Sequence, residues 1–215
     1  KDATFNDLPQ DVTPLDFSGL VPDSVFLCVG PRRCGKTTLV TKLLNAFMGK
    51  ARHVVLVGDG LDQTKIAHKS STKIETLCNR QNWDDHLEQI MDDQEQHRSH
   101  GRLIVVFDDT GGVGLATEQM KRLFYNCRFR VDLGITIIVT IEYSIQLLSN
   151  FWTDVRYLFA SPLLSRISWY ELCAHFRLPF YAVDMVKWTL PHLQNYQHVV
   201  FDCKLNTKPT TFLVK

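Results

Sequence analysis

Residues 25–38 read Val25-Phe26-Leu27-Cys28-Val29-Gly30-Pro31-Arg32-Arg33-Cys34-Gly35-Lys36-Thr37-Thr38, and they decide the fold. Five apolar residues run into GPRRCGKT, a complete G-x-x-x-x-G-K-T phosphate-binding loop. A buried strand has to turn there into a helix whose unpaired N–H groups point at phosphate, and the glycines let the backbone approach without a Cβ in the way. Gly30, Pro31, Arg32, Arg33, Cys34, Gly35, Lys36, Thr37 and Thr38 are the expected nucleotide cradle. Lys36 reaches the β and γ phosphates, and the Thr37 hydroxyl is placed for Mg²⁺. Leu39, Val40, Leu43, Leu44 and Phe47 recur at helical spacing, so the spacing predicts a helix over about residues 36–48. Cys34 sits at that helix N-terminus, where the dipole favours a thiolate, and is expected to be alkylable.

A second run, Leu103-Ile104-Val105-Val106-Phe107-Asp108-Asp109, has the unbroken apolar character of a parallel strand buried on both faces. It ends in two carboxylates. Downstream of a phosphate loop, such a strand is the Walker B element: Asp108 is expected to hold Mg²⁺ through water and Asp109 to activate the attacking water. Between the two motifs lie a strand at 53–57, a polar stretch from Gly58 to Thr72 read as a solvated loop, and an acidic helix marked by Trp83, Leu87, Ile90 and Met91. Beyond them the pattern gives a helix near 117–128, a strand at 135–141, a short helix near 145–151 and a strand at 155–160. Two helices (about 164–176 and 181–189) and a hairpin built on 198–203 and 211–214 complete the chain.

Strands alternating with helices predict an α/β fold with a doubly wound, mainly parallel sheet, its site at the carboxyl ends of the strands. Residues 1–20, with Pro9 and Pro14, read as an extended lead-in, and 21–215 as one P-loop NTPase domain. Glu142, at the tip of the 135–141 strand, faces the nucleotide as a polar sensor if that strand lies between those of the two motifs.

Composition narrows the function classes. A chain of 215 residues, 45% hydrophobic and 22% charged, has the makeup of a globular domain. Its net charge of +1 excludes coating nucleic acid by bulk positive charge but allows a local basic loop or channel. Six cysteines form no C-x-x-C pair and no zinc spacing, which suits buried thiols in a reducing, intracellular compartment. The longest apolar stretch, Leu133 to Ile141, is far short of the about 18–20 residues that cross a bilayer, so no membrane span is expected.

The loop, the LIVVFDD strand, the Asn126-Cys127-Arg128 helix end, the 135–141 strand with its polar terminal residue and the closing hairpin together resemble the poxvirus-type genome-packaging ATPases of the FtsK–HerA superfamily, over roughly residues 20–215. The resemblance implies the additional-strand, catalytic-acid class of P-loop NTPase. It also implies an ATP- and Mg²⁺-dependent ATPase in a homo-oligomeric ring that drives double-stranded DNA into a capsid, with a capsid or portal component as partner. It places such a protein in the cytoplasm of an infected cell or in the virion. Lys36, Asp109 and Glu142 are then the catalytic set. The family usually has Gln where this chain has Glu142, and Trp152 stands where its arginine falls, which leaves Arg128, Arg130 and Arg156 as arginine-finger candidates. The loop Gly111-Gly112-Val113-Gly114 and the lysine-bearing 58–73 stretch are the expected DNA-gripping elements. Two other readings stay open: a P-loop kinase acting on a nucleoside or small acceptor, and an ATP-gated switch protein.

Overall fold

The computed structural model describes residues 15–58, 72–77, 83–108, 117–142, 151, 153–178, 184–187, 197–203 and 210–213. Its centre is β1 (Val25–Val29), whose five residues are all buried. Alternation of side chains along a strand sends Val25, Leu27 and Val29 into one apolar cluster and Phe26 and Cys28 into another on the opposite face. Both faces of the strand are therefore covered, as the unbroken apolar run requires.

The elements follow in the order α1 (Lys36–Phe47), β2 (Ala51–Val57), β3 (Lys73–Leu77), α2 (Trp83–Gln96), β4 (Arg102–Phe107), α3 (Glu118–Phe129) and β5 (Ile135–Ile141). Then come β6 (Val155–Ala160), α4 (Arg166–His175), β7 (Gln197–Asp202) and β8 (Thr210–Leu213). They build one eight-stranded sheet in the order β3-β2-β4-β5-β1-β6-β7-β8. The first six strands in that row are parallel, and β7 and β8 add as an antiparallel hairpin, Leu158 pairing with Phe201 and Val199 with Thr211.

One sheet face carries α1, whose Leu39, Val40, Leu43, Leu44 and Phe47 are buried. Phe26 stacks on Tyr157 at 5.0 Å between ring centres and lies 5.3 Å from Phe47, tying strand, helix and the neighbouring strand together. The other face carries α2, α3 and α4 through Leu87, Met91, Leu123, Phe124, Trp169 and Leu172. Fully buried Gln94 fastens the end of α2 to the sheet. Its Nε2 donates to the carbonyls of Leu133 (2.7 Å) and Gly101 (3.0 Å), while its Oε1 accepts from Arg52. Thr117 and Ser165 cap α3 and α4 by accepting from the N–H groups of Met120 and Ser168.

The strand pattern read from the sequence is present, with one addition. β3 lies within a stretch that carries no apolar alternation; it pairs with β2 alone and forms the sheet edge, with Lys73 exposed and residues 74–77 only partly buried. A half-exposed edge strand tolerates charge, and its KIETL composition hides it. Residues 184–187 are helical, within the expected 181–189 helix. The expected short helix near 145–151 falls outside the described residues except for Phe151, which is buried against Phe124 at 4.4 Å. No helix among the described residues is long and apolar enough to cross a membrane.

Candidate nucleotide site

The phosphate loop leaves β1 at its carboxyl end and re-enters regular structure at Lys36, the first residue of α1. Gly35 caps that helix in the left-handed region at φ 94°, and Arg33 is also left-handed at φ 62°. A left-handed turn of this kind aims successive N–H groups into one concavity, the shape that receives an anion. Held by a non-glycine residue it costs about 1–2 kcal/mol, so the surrounding structure has to impose it. Gly30 is required for space. A Cβ there would lie 2.5 Å from Cys34 Sγ and 2.6 Å from Ser161 Cβ, inside any allowed contact.

Lys36 is buried, and its Nζ donates to the carbonyl oxygens of Gly30 (2.7 Å) and Pro31 (3.0 Å). An ammonium has three donors, so two fix its position under the loop. Thr37 and Thr38 are exposed at the first turn of α1. Cys34 departs from expectation. It is 1% exposed and packed under Gly30, which shuts it off from alkylating reagents despite its position at a helix N-terminus.

The second wall comes from the strand tips beside β1. β5 lies between β1 and β4, in register Cys28 with Thr140 and Val29 with Ile141, which satisfies the condition on Glu142. Gly30 N–H donates to the Ile141 carbonyl (3.1 Å) and Ser161 N–H to that of Val29 (2.9 Å), so the loop's first residue is stitched to the tips on both sides. Asp108, just past β4, is 4% exposed. Its backbone N–H donates to Val57 O, and its Oδ1 accepts from the hydroxyl of fully buried Thr140 at 2.7 Å. Charge-assisted bonds of this kind are about twice as strong as neutral ones, and this one fixes the orientation of the carboxylate. Burial pushes the Cys28 thiol far up, with Asp108 and Cys34 adding to the effect and Lys36 opposing it.

Glu142 Oε1 accepts from Nε of Arg32 at 2.5 Å; the glutamate side chain is 13% exposed and the arginine side chain 81%. Asp109, Gly111-Gly112-Val113-Gly114 and most of the 58–73 stretch lie outside the described residues. The three arginine-finger candidates sit together at the opposite edge of the sheet. Arg128 and Arg130 end and follow α3, just before β5 starts, and Arg156 is the second residue of β6. The length of β1 puts about 16 Å between that edge and the loop. Each meets a carboxylate: Arg128 donates to Asp154 (2.7 Å), Arg130 to Asp132 (3.3 Å), and Arg156 lies 3.6 Å from Asp202. All three thus lie away from the phosphate loop of this chain.

Two participants escaped the sequence reading. Thr140 carries a weak signal, a polar residue inside the apolar run ITIIVTI, but its role depends on the register that sets it beside Asp108. Ser161, buried against Gly30, has no sequence signal beyond following a strand.

The architecture recurs among solved structures. The crystal structure of the DNA-packaging ATPase of Sulfolobus turreted icosahedral virus superposes with a TM-score of 0.66 at 12% identity, over 90% of this chain and 98% of that one. The genome-packaging NTPase of Sulfolobus turreted icosahedral virus 2, in complex with ATP-γS, gives 0.67 at 14% identity over 90% and 98%. This chain has a P-loop NTPase fold. The same P-loop NTPase architecture covers 94% of this chain in the cytoplasmic domain of the type VII secretion ATPase EccC of Thermomonospora curvata (TM-score 0.59, 14% identity), where it accounts for 24% of that longer chain. Identities this low describe likeness of fold. No protein-family model and no curated protein sequence matches the chain.

Proposed function

We propose that this protein is an ATP-hydrolysing motor that moves double-stranded DNA into a viral capsid, working as a homo-oligomeric ring. The observation that carries the hydrolytic reading is the insertion of β5 between β1 and β4, with Thr140 of β5 bonded to Asp108 at the tip of β4. Two strand spacings, about 9–10 Å, separate β4 from the loop strand. That separation leaves room for a water or a hydrated metal ion between the Asp108 carboxylate and a phosphate on the loop, which supports hydrolysis.

Thr37 and Asp108 fit Mg²⁺: both offer hard oxygen donors. When bound, Mg²⁺ neutralises charge on the β and γ phosphate oxygens. The loop N–H groups and Lys36 hold the phosphates, Thr140 orients Asp108, and Asp109 accepts a proton from the attacking water. An arginine from a neighbouring subunit, drawn from Arg128, Arg130 and Arg156, meets the charge that spreads over the γ-phosphate. Their place away from their own loop suits action on a neighbour.

The DNA and capsid parts of the reading draw on the resemblance to packaging ATPases, two of which match the fold over 90% of this chain. Contacts to DNA would fall mainly on phosphates, making them insensitive to sequence and sensitive to salt. Steady-state ATP hydrolysis, with and without long double-stranded DNA and across salt, tests the proposal. Stimulation that fades with salt is expected. Turnover that needs a nucleoside acceptor and ignores DNA would establish the kinase, and binding without DNA-responsive turnover the switch.

A further inference from the structure

Two helices on the same face of the sheet expose apolar stripes. On α3, Tyr125 and Phe129 stand one helical turn apart, each 58% exposed, with ring centres 4.8 Å from one another. Together with Glu118, Lys121, Phe151 and Asp154 they line a cleft of about 360 Å³. On α4, Ile167 is 73% and Tyr170 70% exposed, and Leu163, four residues before Ile167, is exposed as well. The opposite faces of both helices already fill the core, through Leu123 and Phe124 and through Trp169 and Leu172. Scattered exposed apolar residues are ordinary, whereas stripes at helical spacing beside a cleft mark a surface that meets another protein. The two stripes lie at opposite ends of the strands. Phe129 ends α3 shortly before β5 begins, while Leu163 follows the carboxyl tip of β6, two residues past Ser161, whose N–H donates to Val29 O.

We infer that the α4 stripe of one copy of this chain docks on the α3 cleft of the next, seating Ile167 and Tyr170 against Tyr125 and Phe129. Each stripe supplies what the other lacks. The cleft offers stacked rings around a concavity, and α4 offers a branched aliphatic and an aromatic side chain that project from a helix, the kind of anchor that carries association energy. Charge agrees with the pairing. The first turn of α4 holds no acidic residue and begins with exposed Arg166, a cation at the positive end of its helix. Docking gives that cation a carboxylate, Glu118 of the cleft, which is 82% exposed and meets Lys121 at 3.0 Å across a solvated pair. Because two different patches at opposite ends of the strands meet, the contact repeats head to tail and closes into a ring. The inference rests on the ring reading above and names the surfaces that build the ring.

A contact between unlike patches has a signature that a contact between like patches does not. Sedimentation velocity of the full chain with Mg²⁺ and a non-hydrolysable ATP analogue, over a series of concentrations, reads it. Ile167→Asp damages one stripe and Phe129→Asp the other, and both positions are exposed, so melting temperatures should stay at the wild-type value. Each variant alone is expected to associate about 30-fold or more weakly, the loss of one anchor residue. An equimolar mixture of the two should stop at dimers. The Ile167→Asp chain keeps a sound cleft and the Phe129→Asp chain a sound α4 stripe, which allows one good contact and no second. Assembly that survives either substitution would overturn the contact and leave the ring reading standing, as would variants that dissociate yet never pair in the mixture. Wild type that stays monomeric across the series would overturn the ring and the contact together. Arg166→Glu should weaken assembly about two- to fivefold, and adding Glu118→Arg to the same chain should restore it; failure to restore would overturn the pairing of those two residues.

Discussion

Thr140→Val is the most informative single change, because it removes one hydroxyl and almost no volume. In the folded chain that hydroxyl donates to Asp108 Oδ1 at 2.7 Å, with Thr140 fully buried and Asp108 4% exposed. A buried hydrogen bond to a charged group contributes about 1.5–3 kcal/mol, and water cannot readily replace the lost donor. The variant should therefore lose about that much unfolding free energy at neutral pH in a urea titration. If Asp108 is the metal-orienting carboxylate, the same change also loosens it: Mg²⁺-dependent hydrolysis should fall about 10- to 100-fold, following about 1.4 kcal/mol per decade. Thr140→Ser separates the two roles. It keeps the donor and deletes a methyl group, so it should lose about 1 kcal/mol of stability while retaining most of the activity and its Mg²⁺ dependence. Thr140→Val matching wild type within about 0.5 kcal/mol and in Mg²⁺ dependence would refute the claim that this bond sets the Asp108 carboxylate.

Other outcomes follow from the same geometry. Lys36→Ala should abolish nucleotide binding in calorimetry, since its Nζ is fixed beneath the loop by Gly30 and Pro31; unchanged ATPase activity would remove the premise of the site. Asp109→Asn should leave binding of ATP nearly intact while single-turnover hydrolysis collapses; a wild-type rate would move the base elsewhere, with Glu142 next. Gly30→Ala forces a Cβ against Cys34 and Ser161, so it should destabilise the protein by about 1–3 kcal/mol and weaken nucleotide binding, read by thermal melting with and without ATP. The ring of His53 is buried beside Glu75 at 3.3 Å, and burial first, then Lys73, holds its pKa below the ordinary 6.5. The unfolded chain then takes up the proton before the folded one does, so this contribution is intact above about pH 6.5 and is lost as pH falls below it. His53→Gln should flatten the decline in stability over that window, and an unchanged pH profile would refute the assignment.

The phosphate loop and the Walker B strand were legible because their residue types are dictated locally, by space for backbone, charge for phosphate and apolar side chains for a strand covered on both faces. What depends on neighbours was not. The pairing of Thr140 with Asp108 exists only through the β4–β5 register, and β3 only because β2 has an open edge to receive KIETL. Cys34 shows the limit of local reasoning: its place at a helix N-terminus was readable, while its burial under Gly30 depends on how the loop folds back. The arginines at 128, 130 and 156 look interchangeable in sequence. The parallel topology sends all three to the end of the strands away from the loop.

Displacement of a third strand from triplex DNA reads translocation along a duplex directly, and it tests the motor itself. The account predicts that the protein with ATP and Mg²⁺ strips the third strand, that a non-hydrolysable analogue does not support this, and that Lys36→Ala is inert. Vigorous ATP hydrolysis with the third strand left in place, under salt conditions where the protein binds the duplex, would contradict it.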